Sequence, residues 1–276
     1  EFLDLIIKLL NMRFKLTLER TDQRRFIPIN YQYELSSAIY RVIERGNEDF
    51  SAFLHDEGYR LGNKPFRLFT FSRVFLDKQR VHVNQGRIEH LGTTAELYVS
   101  FLIDQAAEEF IKGLFLGQQF FLGDQISGVN YEVSKIEAAT PVYFQRIMHY
   151  RCLSPILIKE KRTGGGENYL DPSHPKYGEL LVQNLISKWA AQAMAGVEQK
   201  GESFQDLNYR FESVGKIYKN GVVIKQMTPQ ESKLIGYSFE FILEAPQEFH
   251  EIGYFSGFGH LNSQGFGCVE VKIEKL

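Results

Sequence analysis

The chain has 276 residues, of which 43% are hydrophobic and 24% charged; this composition argues against wholesale disorder, and at roughly 100–200 residues per domain the length predicts two domains or one large one. Its net charge of −2 and pI of about 6.4 argue against an indiscriminate nucleic-acid binder, which needs a strongly basic surface. Two cysteines, Cys152 and Cys268, are too few for a disulfide framework or a cysteine-built zinc cage, and no apolar run reaches about 18 residues, so we expect reduced thiols, no membrane span and a cytoplasmic protein.

The first half of the chain shows a βαββαβ order. Residues 1–11 form a short apolar pattern without the features of a signal peptide, and we interpret them as a non-native or upstream extension before Met12, with a genuine N-terminal helix as the alternative. Alternation in Arg13–Glu19 predicts a strand, and Asn30–Arg45 has the apolar stripe of a helix. The remaining predicted elements are a second helix at Thr94–Leu114 and strands at Leu68–Leu76, Arg87–His90 and Gln125–Glu137. This order is typical of the ferredoxin-like unit, which many RNA-recognition domains share.

The second half repeats this order more loosely. A strand at Gln145–Leu153 precedes a loop rich in glycine and proline, Lys161–Pro175, and a long helix at Lys176–Ala195. The remaining predicted elements are strands at Leu207–Glu212 and Leu234–Leu243 joined by a hairpin near Lys219–Gly221, a short helix at Pro246–Phe255 and a last strand at Cys268–Ile273. The sequence therefore predicts an α+β fold of two tandem ferredoxin-like halves, an N-terminal domain at 12–140 and a C-terminal domain at 141–276.

The most distinctive motif is the segment 257–267, in which two Gly-Phe-Gly triplets flank five residues. Glycines permit positive φ and close backbone approach, so N–H groups in such a loop can face a phosphate. The segment follows a predicted helix and enters a predicted strand, unlike a dinucleotide-binding fingerprint, and it lacks the Gly-Lys-Ser/Thr of a Walker loop. A tight helix-to-strand connection is the alternative that needs no ligand.

This glycine frame, at the C-terminal end of two ferredoxin-like halves, resembles that of the CRISPR-associated endoribonucleases, which cut the repeats of a long CRISPR transcript into guide RNAs. The start MRFKLTLE at Met12, the helix beginning NYQYELSSAIY at Asn30 and the strand LFTFS at Leu68 are also similar to that family, so the resemblance covers nearly all of 12–276. It implies CRISPR repeat RNA as the partner of a monomer or homodimer, alone or within an effector complex. Family members often carry a basic residue inside the glycine frame, and here that contact falls to His260.

The implied chemistry is attack of an RNA 2′-hydroxyl on its own neighbouring phosphate, which needs proton transfer and a cation but no metal or other cofactor. The similar family places its catalytic histidine in a Leu-His segment after the first helix; this position is His55, and His260 is its main competitor. The resemblance also implies a phosphate contact by Tyr40, for which a core aromatic is the alternative. Family members that use a lysine as the cation carry it just before the Leu-Phe-Thr strand, where this sequence has Arg67, with Lys64 as the substitute.

Charge is segregated along the chain, since residues 146–162 carry five Lys/Arg against one Asp/Glu, whereas residues 81–145 carry three against eight. Local basic faces can therefore coexist with a nearly neutral total. The residues expected to contact RNA are Arg20, Arg24, Arg25, Arg146, Arg151, Lys159, Lys161 and Arg162, with Gly257, Gly259, His260, Gly265 and Gly267 of the glycine frame. A solvated charged face is the alternative for each basic residue. Two other functions stay open: a non-catalytic subunit that binds repeat RNA, and a metabolic enzyme with a small-molecule pocket.

Overall fold

A computed structural model describes residues 13–192, 208–226 and 228–272. The predictions made for residues 1–12, for the end of the helix beyond residue 192, for Leu207 and for Ile273 lie outside these residues. None of the helices in the described ranges is long and apolar enough to cross a membrane.

The N-terminal half contains three helices, α1 (Gln32–Gly46), α2 (Glu48–Asp56) and α3 (Asp104–Leu116). Its strands are β1 (Arg13–Arg20), β2 (Phe26–Pro28), β3 (Tyr59–Leu61), β4 (Lys64–Phe66), β5 (Phe69–Phe71), β6 (Phe75–Leu76), β7 (Gln79–His82), β8 (Arg87–His90), β9 (Thr94–Phe101), β10 (Gln119–Gly123) and β11 (Gly128–Ala138).

The main sheet of this half has the ferredoxin-like strand order. Strand β1 lies between β11 and β9, and β5 pairs with the far edge of β9, all antiparallel. Taken with α1 and α3, these strands form a βαββαβ unit, and β10 extends the sheet beyond β11. The alternation predicted for β1 is confirmed, because Phe14, Leu16 and Leu18 all face the core.

The helix predicted at Thr94–Leu114 is wrong in its first part. Thr94–Phe101 forms strand β9, and the helix begins only at Asp104. Ala95, Leu97 and Val99 alternate toward the core face of the sheet and are almost fully buried, and the backbone of β9 pairs with β1, so sheet packing decides the structure of this stretch. Arg87–His90 is a strand as predicted, but it lies in a separate sheet of order β2-β8-β7 rather than in the ferredoxin-like one.

The C-terminal half contains helices α4 (Tyr177–Gln192) and α5 (Gln247–Ser256). Its strands are β12 (Ile147–Cys152), β13 (Lys159–Lys161), β14 (Glu167–Tyr169), β15 (Arg210–Ile224), β16 (Ser232–Glu244) and β17 (Val269–Val271). The sheet order β15-β16-β12-β17, with α4 and α5 as its helices, repeats the ferredoxin-like unit.

Two turns of this half differ from the prediction. No hairpin turns at Lys219–Gly221, because Asn220 and Gly221 pair with Gly236 and Ile235 inside the long β15–β16 ladder, and the Asn220 side chain donates to Ser238 Oγ at 3.0 Å. The chain reverses instead after Ile224. The predicted loop Lys161–Pro175 contains strand β14, which pairs with β13 around a tip whose glycines have positive φ.

The glycine-rich segment lies where the two halves meet. Ser36 Oγ, on α1, donates to the Ser263 carbonyl at 2.6 Å, and Thr70 Oγ1, on β5, donates to the Phe266 carbonyl at 3.0 Å. The buried Arg13 guanidinium of β1 lies 4.3 Å from the centre of the Tyr254 ring on α5. The fold therefore brings the glycine-rich segment of the C-terminal half against α1 and β5 of the N-terminal half.

Candidate active site

The end of helix α2 carries His55. Asn47 separates α1 from α2 and accepts a hydrogen bond from the Phe50 N–H at 3.0 Å, which fixes the start of the second helix. The helix ends at Asp56, and Gly58, with φ of 61°, lets the chain turn back into the β3–β4 hairpin. The side chain of His55 is 69% exposed at this helix end, so it is accessible to a large substrate.

The imidazole of His55 is held from two sides. Its Nδ1 lies 2.7 Å from Asp56 Oδ1, and its ring meets the Tyr40 ring edge-on, with centroids 5.3 Å apart. A proton on Nδ1, donated to the carboxylate, leaves Nε2 with a free lone pair. The arrangement therefore presents Nε2 as a proton acceptor.

Tyr40 connects His55 to the glycine-rich segment. Its ring packs edge-on against Phe69 of β5 at 5.5 Å, and the side chains of Ser263 and Arg67 lie close enough to its hydroxyl to influence its pKa. Burial raises the pKa of Tyr40, although the charge of Arg67 and the polar side chain of Ser263 oppose the shift. The hydroxyl therefore keeps its proton at neutral pH and remains a donor.

Arg67 reaches the same cluster but is already engaged. Its guanidinium donates to the carbonyl of His55 and, at 3.4 Å, to that of Glu57, so it binds the free carbonyls at the end of α2. The next residue, Leu68, has φ of 52°, a conformation that non-glycine residues rarely adopt. The structure thus brings together three residues predicted from the sequence, His55, Tyr40 and Arg67.

Ser263 is the member of this cluster that the sequence reasoning missed. It lies within a single turn of 3₁₀-helix, Asn262–Gln264, at the centre of the glycine frame. Nothing in the sequence distinguishes this serine from its polar neighbours. Only the packing of the two halves places its hydroxyl, and not another, beside Tyr40.

The four frame glycines serve the fold. Gly257, Gly259, Gly265 and Gly267 are buried and have φ between 74° and 91°. The Gly265 and Gly267 N–H groups donate to the Asn262 and Pro155 carbonyls, so the expectation that the N–H groups of the frame face a phosphate does not hold for these two. Helix α5 precedes the loop and β17 follows it, as predicted.

Lys64 and His260 lie in a second, basic group beside the loop. The charges of Lys64, Lys188 and Lys159 act on His260, and desolvation is the largest cause that lowers the pKa of this histidine to about 3. His260 Nδ1 also lies 3.3 Å from the Leu157 carbonyl. An imidazole with a pKa this low is a weak base and carries no extra proton to give as an acid, so His260 is poorly suited to proton transfer at neutral pH.

The remaining basic residues are spread over both halves, and most are engaged in contacts within the protein. Arg20 donates to the Arg24 carbonyl, and Arg24 lies beside Asp22. Arg25 lines a shallow cavity of about 450 Å³ together with Arg24 and Phe26. The other contacts pair Arg146 with Glu244, Arg151 with Glu270, Lys159 with Glu167 and Arg162 with Asn168, and Lys161 is exposed.

Arg151 also lines a cavity of about 1060 Å³ between the halves, whose wall includes Arg73 and Lys216. Among the described residues, no three His, Cys, Asp or Glu side chains are grouped closely enough to hold a metal ion.

Comparison with known proteins places the chain in a family. A profile described as CRISPR-associated protein Cas6, N-terminal, matches residues 26–137, and one described as CRISPR associated protein Cas6, C-terminal, matches residues 138–271. The CRISPR-associated endoribonuclease Cas6 1 of Methanocaldococcus jannaschii is 30% identical over 268 residues, which cover 96% of this chain and 94% of the relative. CRISPR-associated endoribonuclease Cas6 of Pyrococcus furiosus is 25% identical, with 96% and 91% covered.

Solved structures agree on the fold. The structure of a Cas6-related gene product from Pyrococcus furiosus aligns with a TM-score of 0.78 at 22% identity, covering 96% of this chain and 99% of the other. A structure described as CRISPR associated protein Cas6 aligns with a TM-score of 0.71 at 28% identity, covering 95% and 99%. With two matching profiles and a full-length relative, the chain belongs to the CRISPR-associated Cas6 family.

Proposed function

We propose that this protein is an endoribonuclease that cleaves CRISPR repeat RNA without a metal ion, by attack of a 2′-hydroxyl on the adjacent phosphate. The observation that carries the proposal is the convergence of His55, Tyr40 and Arg67 with Ser263, at the junction of two RNA-recognition-type halves. The names of full-length relatives, which call them endoribonucleases, support the same reaction class.

The proton transfers fall to His55. Its Nε2 accepts the proton of the 2′-hydroxyl as O2′ attacks phosphorus, and the P–O5′ bond breaks as the new P–O2′ bond forms. The Asp56 carboxylate, 2.7 Å from Nδ1, stabilises the imidazolium that results. The leaving O5′ takes up a proton, from His55 itself if this residue acts as both base and acid. The products are a 2′,3′-cyclic phosphate, or the 3′-phosphate that follows from it, and a 5′-hydroxyl.

The developing negative charge on phosphorus oxygens needs donors that are already in place. The Tyr40 hydroxyl is one, because burial keeps it protonated. Arg67 is the second and carries its charge at any working pH, and Lys64 is the substitute cation.

The RNA backbone beyond the cleaved linkage would lie along basic side chains. His260 of the loop lies near Lys64, and Lys159, Lys161 and Arg162 belong to the neighbouring β13–β14 hairpin. Arg146 and Arg151 would exchange carboxylate partners for phosphates, while Arg20, Arg24 and Arg25 extend the path over the N-terminal half. Gly257, Gly259, Gly265 and Gly267 contribute by shaping the loop rather than as the main contacts.

A single-turnover assay with repeat RNA in excess chelator tests the proposal. We expect wild-type protein to cut, and His55→Ala to lower the rate by about a hundredfold or more, the typical contribution of a positioned acid–base group, with RNA affinity unchanged. His82→Ala, which changes a histidine paired with Glu89 elsewhere in the fold, is the matched control. Full cutting of RNA with a 2′-deoxy sugar before the cleaved phosphate would refute the mechanism, and loss of cutting in His260→Ala but not in His55→Ala would refute the assignment.

The second candidate is a subunit that binds repeat RNA without cutting it. Arg67 favours this reading, because its guanidinium already donates to backbone carbonyls of α2. Bound but intact RNA in the same assay would establish it.

A further inference from the structure

Helix α4 carries a buried lysine directly beneath the glycine-rich segment. Lys188 is 2% exposed and follows Leu181 and Leu185 on the inner face of the helix. Its amino group donates to the Gly257 carbonyl and, at 2.7 Å, to Asn262 Oδ1, and among the described residues it pairs with no carboxylate. Burial and the nearby charge of Lys64 lower the pKa of Lys188 well below its usual value. Burying a lysine amino group without a carboxylate partner costs free energy of desolvation, which lowers the stability of the folded protein.

The contact with Lys188 sets the orientation of Asn262. Because Oδ1 faces the lysine, Nδ2 points the other way and donates to the carbonyls of Phe258 and Phe266, both at 3.0 Å. One side chain thus binds the first and the last part of the loop together. The Phe258 N–H closes the same ring by donating to the Gly267 carbonyl at 2.9 Å.

Asn262 of this loop is adjacent in the chain to Ser263, a residue of the proposed cleavage site. The carbonyl of Ser263 accepts from Ser36 Oγ, and its side chain lies beside the Tyr40 hydroxyl, close enough to influence the pKa of that hydroxyl. A rotation of Asn262 would release this turn, and displacement of a positioning group by about 1 Å can cost a hundredfold in rate. The path from Lys188 to Tyr40 therefore runs through two residues.

We propose that Lys188 is a positioning residue of the cleavage site: its amino group orients Asn262, which locks the loop 257–267 and holds Ser263 against Tyr40. The inference rests on the proposed function for its effect on cutting, but the locking of the loop is independent of it.

Amide hydrogen exchange and single-turnover cutting, measured on the full chain, test this proposal. In Lys188→Met the Phe258 and Gly267 amides should exchange about tenfold faster or more, while amides of β12 and β16 keep wild-type rates. The cutting rate should fall about tenfold, with RNA affinity within about threefold of wild type. The matched control, Lys176→Met, removes an exposed lysine paired with Glu160 just before α4 and should change neither readout.

Two results would overturn the inference: unchanged exchange of the loop amides, or equal acceleration in β12 and β16, which would make Lys188 a support of the whole domain. If Lys188→Met does not fold, Lys188→Gln, which keeps a donor without charge, is measured with the same readouts and the same two criteria. If wild-type protein fails to cut RNA, the proposed function fails, and the exchange experiment still decides the role of Lys188.

Discussion

Substitution of Gly267 by alanine separates the structural role of the glycine frame from a ligand-binding role. Gly267 has φ of 81°, and an added Cβ would lie 2.1 Å from the Phe258 carbonyl oxygen and 2.4 Å from Asn262 Nδ2. The positive φ costs about 1–2 kcal/mol for an L-residue, and overpacking adds about 1–3 kcal/mol. The sum, about 2–5 kcal/mol, corresponds to a fall in melting temperature of about 4–20 °C at about 2–4 °C per kcal/mol.

Gly165→Ala is the matched control for this experiment. Gly165 also has a positive φ, 101°, but an added Cβ would meet nothing within 4 Å, so only the conformational cost of about 1–2 kcal/mol applies. Thermal denaturation of both variants measures the difference, and the cutting rate of Gly267→Ala should fall because Asn262 and Ser263 are displaced. Equal melting temperatures for the two variants would refute the conclusion that the frame is packed against the protein.

Two further outcomes follow from the side chains around the loop. Tyr40→Phe keeps the packing against Phe69 and His55 but removes the hydroxyl, so the cutting rate should fall about tenfold or more with the melting temperature within about 3 °C; an unchanged rate would remove Tyr40 from the mechanism. The folded-state pKa of His260, about 3, lies below its usual 6.5, so the unfolded chain binds more protons between these values, and stability present above pH 6.5 is lost as pH falls toward 3. The free energy of unfolding of the wild type should therefore fall between pH 7 and pH 5, and in His260→Asn this fall should be smaller by roughly 1–2 kcal/mol in denaturant titrations. An unaltered pH dependence would contradict the desolvation of this imidazole.

Local sequence patterns predicted the elements whose buried residues follow the periodicity of a strand or a helix. The alternation of Phe14, Leu16 and Leu18 identified β1, and the helix and strand predicted on either side of segment 257–267 are present as α5 and β17. The helix predicted from Thr94 was wrong because Thr93 and Glu96 have the three-residue spacing of a helix capping box. The alternation of Ala95, Leu97 and Val99 instead belongs to a strand, which is stabilised by its partner strands. The hairpin predicted near Asn220-Gly221, a typical turn dipeptide, was wrong because both residues pair with β16 and the Asn220 side chain donates to Ser238 Oγ.

The proposed cleavage cluster was predictable only for residues whose chemistry and local sequence context both point to the site. His55 and Tyr40 are separated by fifteen positions and connected by two consecutive helices, so helix geometry brings them near each other. Ser263 comes from the opposite end of the chain, and no local rule connects it with Tyr40. Lys188 did leave a signal, since it continues the stripe of Leu181 and Leu185, where a lysine is out of place on an inward face.

The glycine-rich segment divides its tasks by position, and this division decides how its variants should be read. The frame positions have positive φ and no room for a side chain, so their spacing reports the fold of the C-terminal half. The interior holds the side chains that face the proposed site or its basic flank, Ser263 toward Tyr40 and His260 toward Lys64. Because Asn262 bridges Lys188 to both ends of the frame, we expect a change in the frame to disturb the proposed cutting site through stability, whereas a change at Ser263 or His260 leaves the frame glycines in place. Loss of activity in a frame variant is therefore no sign of a lost RNA contact unless its melting temperature is unchanged.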